Sequence, residues 1–235
     1  MKLRLVYLAL IFFIMLKLNK HAYDLKRPLV MGILNITPDS FSDGGKYLDF
    51  SDALKRAHAM IEEGVDIIDI GGESTRPGSD PVSIDEELKL IIPIIEALKR
   101  DSNIAISVDT YKPAVMKEVI DMDVAMINDV YALTQPGAID VIKKSEVGIC
   151  LMHMQGTPKT MQINPTYKNV VSEVQSFLKG RAEMLISEGI DQSRIILDPG
   201  FGFGKTFEHN IEMLKKLESF QSLKFLLLVG LSRKS

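Results

Sequence analysis

The stretch Ile104-Ala-Ile-Ser-Val-Asp-Thr-Tyr-Lys-Pro-Ala-Val-Met-Lys-Glu-Val-Ile-Asp-Met-Asp-Val-Ala-Met-Ile-Asn-Asp-Val-Tyr131 holds the pattern of the whole chain. It opens with a short apolar run, 104–108, which predicts a strand buried on both faces. Polar residues follow at 109–112, and Pro113 then stands at the head of an amphipathic stretch, 113–121, a position where proline favours a helix start. A second apolar run, 125–127, again ends on polar residues, 128–131. The reading is strand, polar turn, helix, strand, polar turn.

Outward from this unit the same alternation recurs. Strands are predicted at 29–34, 66–70, 104–108, 125–127, 148–152, 194–197 and 225–229, and helices at 51–63, 85–100, 113–121, 138–145, 167–188 and 208–219. Polar and glycine residues gather directly after the strands, at 35–45, 71–80, 109–112, 128–131, 153–160, 198–206 and 230–235. In a TIM-type (β/α)8 barrel all these segments open on one rim, so residues distant in sequence meet in one cavity. An open doubly wound sheet is the alternative that the same alternation permits; polar residues after nearly every strand favour the barrel. Eight strands close a barrel and seven are counted, so the eighth βα unit is expected to be missing from this chain. The first and seventh strands would then carry bare outer edges. The predicted organisation is an apolar leader and N-terminal segment, 1–28, followed by an incomplete barrel domain, 29–235.

Composition narrows the function classes. The 28 basic and 31 acidic residues among 235 leave a net charge of −3, which gives no footprint for nucleic acid and no polybasic membrane patch. The apolar run 5–16 is 12 residues long, short of the roughly 20 that a bilayer span requires, and no small-residue cleavage site follows it. A single cysteine, Cys150, excludes an internal disulfide, and four scattered histidines provide no zinc-site spacing. These features predict a reduced, cytoplasmic protein that handles small molecules.

Four segments carry a resemblance to a known family: MGILNITPDSFSDGG at 31–45, DIGGESTRPG at 69–78, LDPGFGFGK at 197–205 and GLSRKS at 230–235. Shorter matches at SVDT (107–110), IND (127–129) and CLMHMQG (150–156) fall in the same order. Together they resemble the dihydropteroate synthases, pterin-binding enzymes of folate biosynthesis that are the targets of sulfonamides. The resemblance implies condensation of 6-hydroxymethyl-7,8-dihydropterin diphosphate with 4-aminobenzoate, giving 7,8-dihydropteroate and pyrophosphate, with Mg²⁺ as cofactor. It also implies a homodimer in the family, together with a last helix, an eighth strand bearing an Arg-x-His anion pair, and a final helix that this chain does not reach.

The aminopyrimidinone edge of a pterin is rich in hydrogen-bond donors, for which a buried carboxylate or amide oxygen is the natural partner. Asp109, Asn128 and Asp198 match the family's pterin-contacting residues, and each stands at a strand end where the sheet would fix it. Lys234 matches the lysine that reaches the pterin from the seventh loop, and Asn35 matches the metal-linked position. By the same resemblance Phe41, Thr75, Arg76, Pro77 and Ser235 line the aminobenzoate pocket, with Asp43 able to pair with Arg76. The first two loops combine rigid turns at Pro38 and Pro77 with permissive glycines.

Other motifs are rejected. Counting back five residues from Gly204 lands on Pro199, so 199–206 is not a nucleotide P-loop, and it does not fit G-x-G-x-x-G. The glycine-rich segment is read instead as backbone lying close to the flat pterin, with Phe203 and Lys205 near the ring and Met152 and Met154 in the pocket wall. The C-x-x-H of Cys150 and His153 lacks a second ligand pair, and Cys150 reads as core. No G-x-S-x-G nucleophile motif occurs. Two other functions fit parts of the pattern: a catalytically silent, truncated pterin-binding module, and a pterin-dependent corrinoid methyltransferase, against which the aminobenzoate loops argue.

Overall fold

A computed structural model describes residues 3–6, 15–36, 46–74 and 80–231. Seven parallel strands alternate with helices in the predicted order: β4 (Leu29–Asn35), α1 (Lys46–Glu62), β5 (Ile67–Gly71), α2 (Ile84–Asp101), β6 (Ala105–Asp109), α3 (Pro113–Asp121), β7 (Met126–Asp129), α4 (Ala138–Ile142), β8 (Gly148–Met152), α5 (Val170–Ser187), β9 (Ile195–Asp198), α6 (Phe207–Lys215) and β10 (Leu226–Leu227). Three short strands precede them, β1 (Leu3–Val6), β2 (Met15–Leu18) and β3 (His21–Asp24).

The parallel strands are buried on both faces, and their two sets of side chains go to different cores. Ile68, Ile70, Ile106, Val108, Ile127, Ile149, Leu151 and Leu197 pack outward against the helices. The alternating residues Met31, Ile67, Ala105, Met126, Cys150, Ile196 and Leu226, one from each parallel strand, meet in a second cluster. Seven strands can share one inner cluster only if the sheet curls about an axis, which is the barrel arrangement. Cys150 lies in this inner core, as its sequence context predicts.

The N-terminal region is where the sequence reading needs its largest addition. β2 and β3 form an antiparallel hairpin, and Leu16 and Leu18, together with Leu25 beyond it, are buried in the inner cluster. Leu18 reaches so far in that a Cβ on Gly148 would lie 2.3 Å from its Cδ2. Polar contacts pin the hairpin beneath the strands: Asn19 Nδ2 donates to Asp123 Oδ1 at 2.7 Å, and Tyr23 OH to the Asp66 carbonyl at 3.0 Å. Arg27 then grips the Asp66 carboxylate with both terminal nitrogens, at 2.8 and 2.5 Å. The hairpin therefore stoppers the end of the sheet opposite the post-strand loops.

The sequence leaves the outer edge of the first parallel strand bare, and this expectation is corrected. β1 pairs antiparallel with β4, Leu3 opposite Gly32 and Val6 opposite Leu29, so among the described residues the sheet has eight strands in the order β1-β4-β5-β6-β7-β8-β9-β10. Antiparallel addition needs no crossover, which lets a short segment N-terminal to β4 satisfy that edge. Among the described residues β10 pairs with β9 alone.

Helix boundaries shift where capping chemistry decides them. Asn169 accepts from Ser172 N at 3.0 Å, so α5 starts at Val170 and leaves Tyr167 outside the helix. α2 begins with a capping box between Ser83 and Glu86. The last predicted helix is split into α6 and a 3-10 turn over Leu217–Leu223.

The packing of Leu18 against Gly148 gives a direct check. We expect Leu18→Ala to destabilise the protein by about 2 to 5 kcal/mol, as cavity-forming core substitutions do. Gly148→Ala should also destabilise the native chain, yet cost much less in the Leu18→Ala background, where the added methyl has room. Urea unfolding of the four proteins measures this; additive losses would show that the two residues are not in contact.

Candidate active site

Parallel register decides which residues meet at the rim. Asn35 lies opposite Gly71, Gly71 opposite Asp109, and Asp109 opposite Asn128, so four consecutive strands end in one row. The missing side chain at Gly71 leaves a gap in that row: a Cβ there would lie 3.3 Å from Asn35 Oδ1 and 3.5 Å from Asp109 Cβ. Asp198 extends the cavity wall from the far side, opposite Met152. Asp109, Asn128 and Asp198 are all buried, whereas Asn35 is exposed. The structure thus brings the three predicted pterin contacts into one cavity wall, with Asn35 at its open side.

Beneath the row lies a group that the sequence reading did not single out. Asp69 accepts a hydrogen bond from Ser107 Oγ at 2.6 Å on Oδ1 and from Asn128 Nδ2 at 3.0 Å on Oδ2. A carboxylate can only accept here, so it fixes which way round the Asn128 amide stands. The amide oxygen, Oδ1, is thereby the atom left over, and it is buried with no hydrogen-bond partner among the described residues. Asn128 is 1% exposed, and leaving such an acceptor unpaired costs about 1 to 3 kcal/mol. A ligand offering an N–H to this point would recover that cost. Asp69 and Ser107 were legible only as inward positions of strands; their polarity at apolar positions was the available signal.

The wall beside Asp198 is apolar. Met152 and Phe203 are buried with Val130 and Met161, and Tyr111, Tyr131 and Met154 pack against them. Tyr111 and Tyr131 meet edge to face with ring centroids 4.9 Å apart. Met152, Met154 and Phe203 therefore share one apolar cluster beside Asp198.

Lys205 behaves differently from the expectation that it lies near a ligand ring. It is 2% exposed, and its Nζ is taken up by His153 Nδ1 at 3.0 Å and by the carbonyls of Gly200 and Phe203, each at 2.9 Å. The glycines are also explained by a neighbouring loop. Gly200 and Gly204 have φ of +69° and +63°, and a Cβ on either would collide with the carbonyl of His153 or of Gln155. The segment 200–204 is glycine-rich because it lies backbone to backbone on the segment after β8.

The base of the second loop is held by three charges, of which Glu87 is buried and Glu73 and Lys112 half-buried. Glu73 accepts from Lys112 Nζ at 2.6 Å, from Tyr111 OH at 3.2 Å and from Val82 N at 3.0 Å. Lys112 also donates to Glu87, whose carboxyl is pushed up by burial and pulled back by Lys112. At the end of β7, Asp129 accepts from Tyr131 N and Leu133 N and so shapes the following turn; burial pushes its carboxyl up to about 6.

Phe41, Asp43, Thr75, Arg76, Pro77, Lys234 and Ser235 lie outside the described residues. Among the described residues no group of three or more histidine, cysteine, aspartate or glutamate side chains is arranged to hold a metal ion, and no helix is long and apolar enough to cross a membrane.

A curled parallel sheet with a polar row at one rim is the frame of a (β/α) barrel, and sequence comparison gives its class: a model of the pterin binding enzymes matches residues 31–235, and the chain belongs to that family. Within it the named relatives are dihydropteroate synthases. The chain is 47% identical over 217 residues to the dihydropteroate synthase of Haemophilus influenzae, covering 92% of this chain and 79% of the relative. Among solved structures, the Yersinia pestis dihydropteroate synthase in a sulfonamide drug complex is similar with a TM-score of 0.88 at 44% identity, covering 94% of this chain and 80% of that one. The Xanthomonas albilineans enzyme with 4-aminobenzoic acid gives a TM-score of 0.87 at 45% identity, covering 94% and 79%.

The triad at the second loop can be tested by stability. We expect Lys112→Met to cost about 3 to 5 kcal/mol at neutral pH, because it leaves the buried Glu87 and the half-buried Glu73 without their cation. Glu87 has a raised pKa when folded, so its burden is absent when protonated and grows as pH rises. The Lys112→Met penalty should therefore shrink as pH falls into the acid range; an equal penalty at pH 5 and pH 7 would show that Lys112 does not neutralise Glu87.

Proposed function

We propose that this chain condenses 6-hydroxymethyl-7,8-dihydropterin diphosphate with 4-aminobenzoate, releasing 7,8-dihydropteroate and pyrophosphate. The observation that carries the reading is the buried, partnerless Oδ1 of Asn128, held in orientation by Asp69 and set beside Asp109. Three acceptors along one wall match the amino and ring N–H donors of a pterin, and the Met152–Phe203 wall suits its flat faces.

Asp109, Asn128 and Asp198 accept from the pterin, with Lys234 approaching from the loop after β10. Phe41, Thr75, Arg76, Pro77 and Ser235 line the aminobenzoate pocket, where Asp43 pairs with Arg76. The amine nitrogen of aminobenzoate attacks the methylene carbon of the pterin substrate. The new N–C bond forms as the C–O bond to diphosphate breaks, the bonding pair leaves with pyrophosphate, and the nitrogen releases a proton. An aromatic amine already carries its lone pair at neutral pH, so the protein's task is to align the two substrates and stabilise the leaving group.

Asn35 fits Mg²⁺. It offers one hard amide oxygen at the exposed rim, beside the gap at Gly71, and Mg²⁺ takes few protein ligands when phosphate oxygens and water complete its shell. Bound there, the ion would supply countercharge to the departing pyrophosphate. The reading places the protein in the reducing cytoplasm, consistent with its single, buried cysteine, and gives it small-molecule partners rather than nucleic acid.

Calorimetry with the dihydropterin substrate tests the pterin wall. Asp109→Ala and Asp198→Ala should each abolish measurable binding while the fold persists; unchanged affinity in either would remove that residue from the site. Inhibition kinetics test the second pocket. Sulfonamides should compete with aminobenzoate, and substitutions at Phe41, Thr75 or Pro77 should alter that competition selectively. Competition against the pterin substrate instead would misplace the pocket.

A further inference from the structure

We propose that Lys205 is a positioning residue for the pterin pocket, its buried ammonium clamping the segment after β8 to the turn after β9 and so holding Asp198 and Phe203 in place. The proposal rests on the pterin reading above.

Four acceptors surround Nζ. The carbonyls of Gly200 and Phe203 lie at 2.9 Å, the carbonyl of His153 at 3.3 Å, and His153 Nδ1 at 3.0 Å. Carbonyls only accept, so Nζ must donate to each; an ammonium has three hydrogens for this and a neutral amine has two. The charged form fits the geometry. The His153 carbonyl and Nδ1 can share the third of these hydrogens: burial and the neighbouring Lys205 push the His153 pKa down to about 3, and the neutral ring accepts at Nδ1 when its proton is on Nε2.

The clamp reaches the pterin wall by two short paths. Gly200, whose carbonyl accepts from Lys205, gives its own N–H to Asp198 Oδ1 at 2.7 Å. Phe203, whose carbonyl also accepts from Lys205, packs its ring with Met152. On the other side the His153 N–H donates to the Asp198 carbonyl at 3.0 Å. Every residue that Lys205 grips is therefore bonded to Asp198 or lines the wall beside it. A side chain needed only to fill this space could be apolar, because burying a charge is costly and a well-packed hydrophobic replacement is often neutral or stabilising. The ammonium is specific to holding carbonyls.

Burial pushes Lys205 down to about 7, opposed by the charge of Asp198. The other titratable groups packed about it stay fixed between pH 7 and 9: His153 is neutral, and Tyr167, whose hydroxyl donates to the Gly204 carbonyl, is raised to about 12.

The test is calorimetric titration with 6-hydroxymethyl-7,8-dihydropterin diphosphate from pH 7 to 9, alongside steady-state kinetics. We expect Lys205→Met to bind the pterin at least tenfold more weakly, with the KM for 4-aminobenzoate within twofold of the native value and a cooperative melt retained. In the native chain, pterin affinity should fall as pH rises through the Lys205 pKa, and Lys205→Arg, which keeps its charge throughout, should flatten that dependence. Should Lys205→Met fail to fold, the comparison of the native chain with Lys205→Arg decides. Native-like affinity in Lys205→Met while Asp198→Ala loses binding would overturn the clamp and leave the pterin reading intact; unchanged binding in Asp198→Ala would overturn both. An identical pH dependence in the native chain and Lys205→Arg would also overturn the clamp.

Discussion

The site depends on parallel register. Because Gly71, Asp109 and Asn128 are paired neighbours on adjacent strands, a shift of one residue in any pairing would turn the affected polar side chains out of the cavity and into the helix-facing core. The outward-facing isoleucines and valines prevent that shift, since it would take them from the helix layer they pack against to the inside of the sheet. Packing on one face of the sheet thus fixes chemistry on the other.

Buried charge is used to set orientation. Asp69 lies deep in the cavity where an apolar residue would be cheaper, and it decides which end of the Asn128 amide is presented. Lys112 draws Glu73 and α2 together at the foot of the second loop, with Glu73 also holding the N–H of Val82 beyond it. In each case one ion fixes several groups that polar surface contacts would leave loose, at a desolvation cost that hydrogen bonds offset.

Much of this was legible in the chain itself. Asp109, Asn128 and Asp198 follow apolar runs directly, and a polar residue closing a buried strand is a strong sign when the fold sends all such ends to one rim. Asp69 was missed because it sits within an apolar run rather than after it, and single-sequence reading assigns such a position to the core. Lys205 was placed beside the ligand because a glycine-rich segment suggests close approach to something; that something is the backbone after β8, which no local pattern reveals. The hairpin over residues 15–24 escaped notice for another reason. Leu16 ends an apolar run that reads as one block, Leu18 stands alone between Lys17 and Asn19, and only the long-range contact between Leu18 and Gly148 gives the hairpin a place.

That hairpin gives the inner core a floor. Leu16, Leu18 and Leu25 pack beneath the inner strand residues and close that end of the axis. A flat molecule lowered onto the polar wall would therefore enter from the strand-end rim and itself be the lid over the buried Asn128 oxygen.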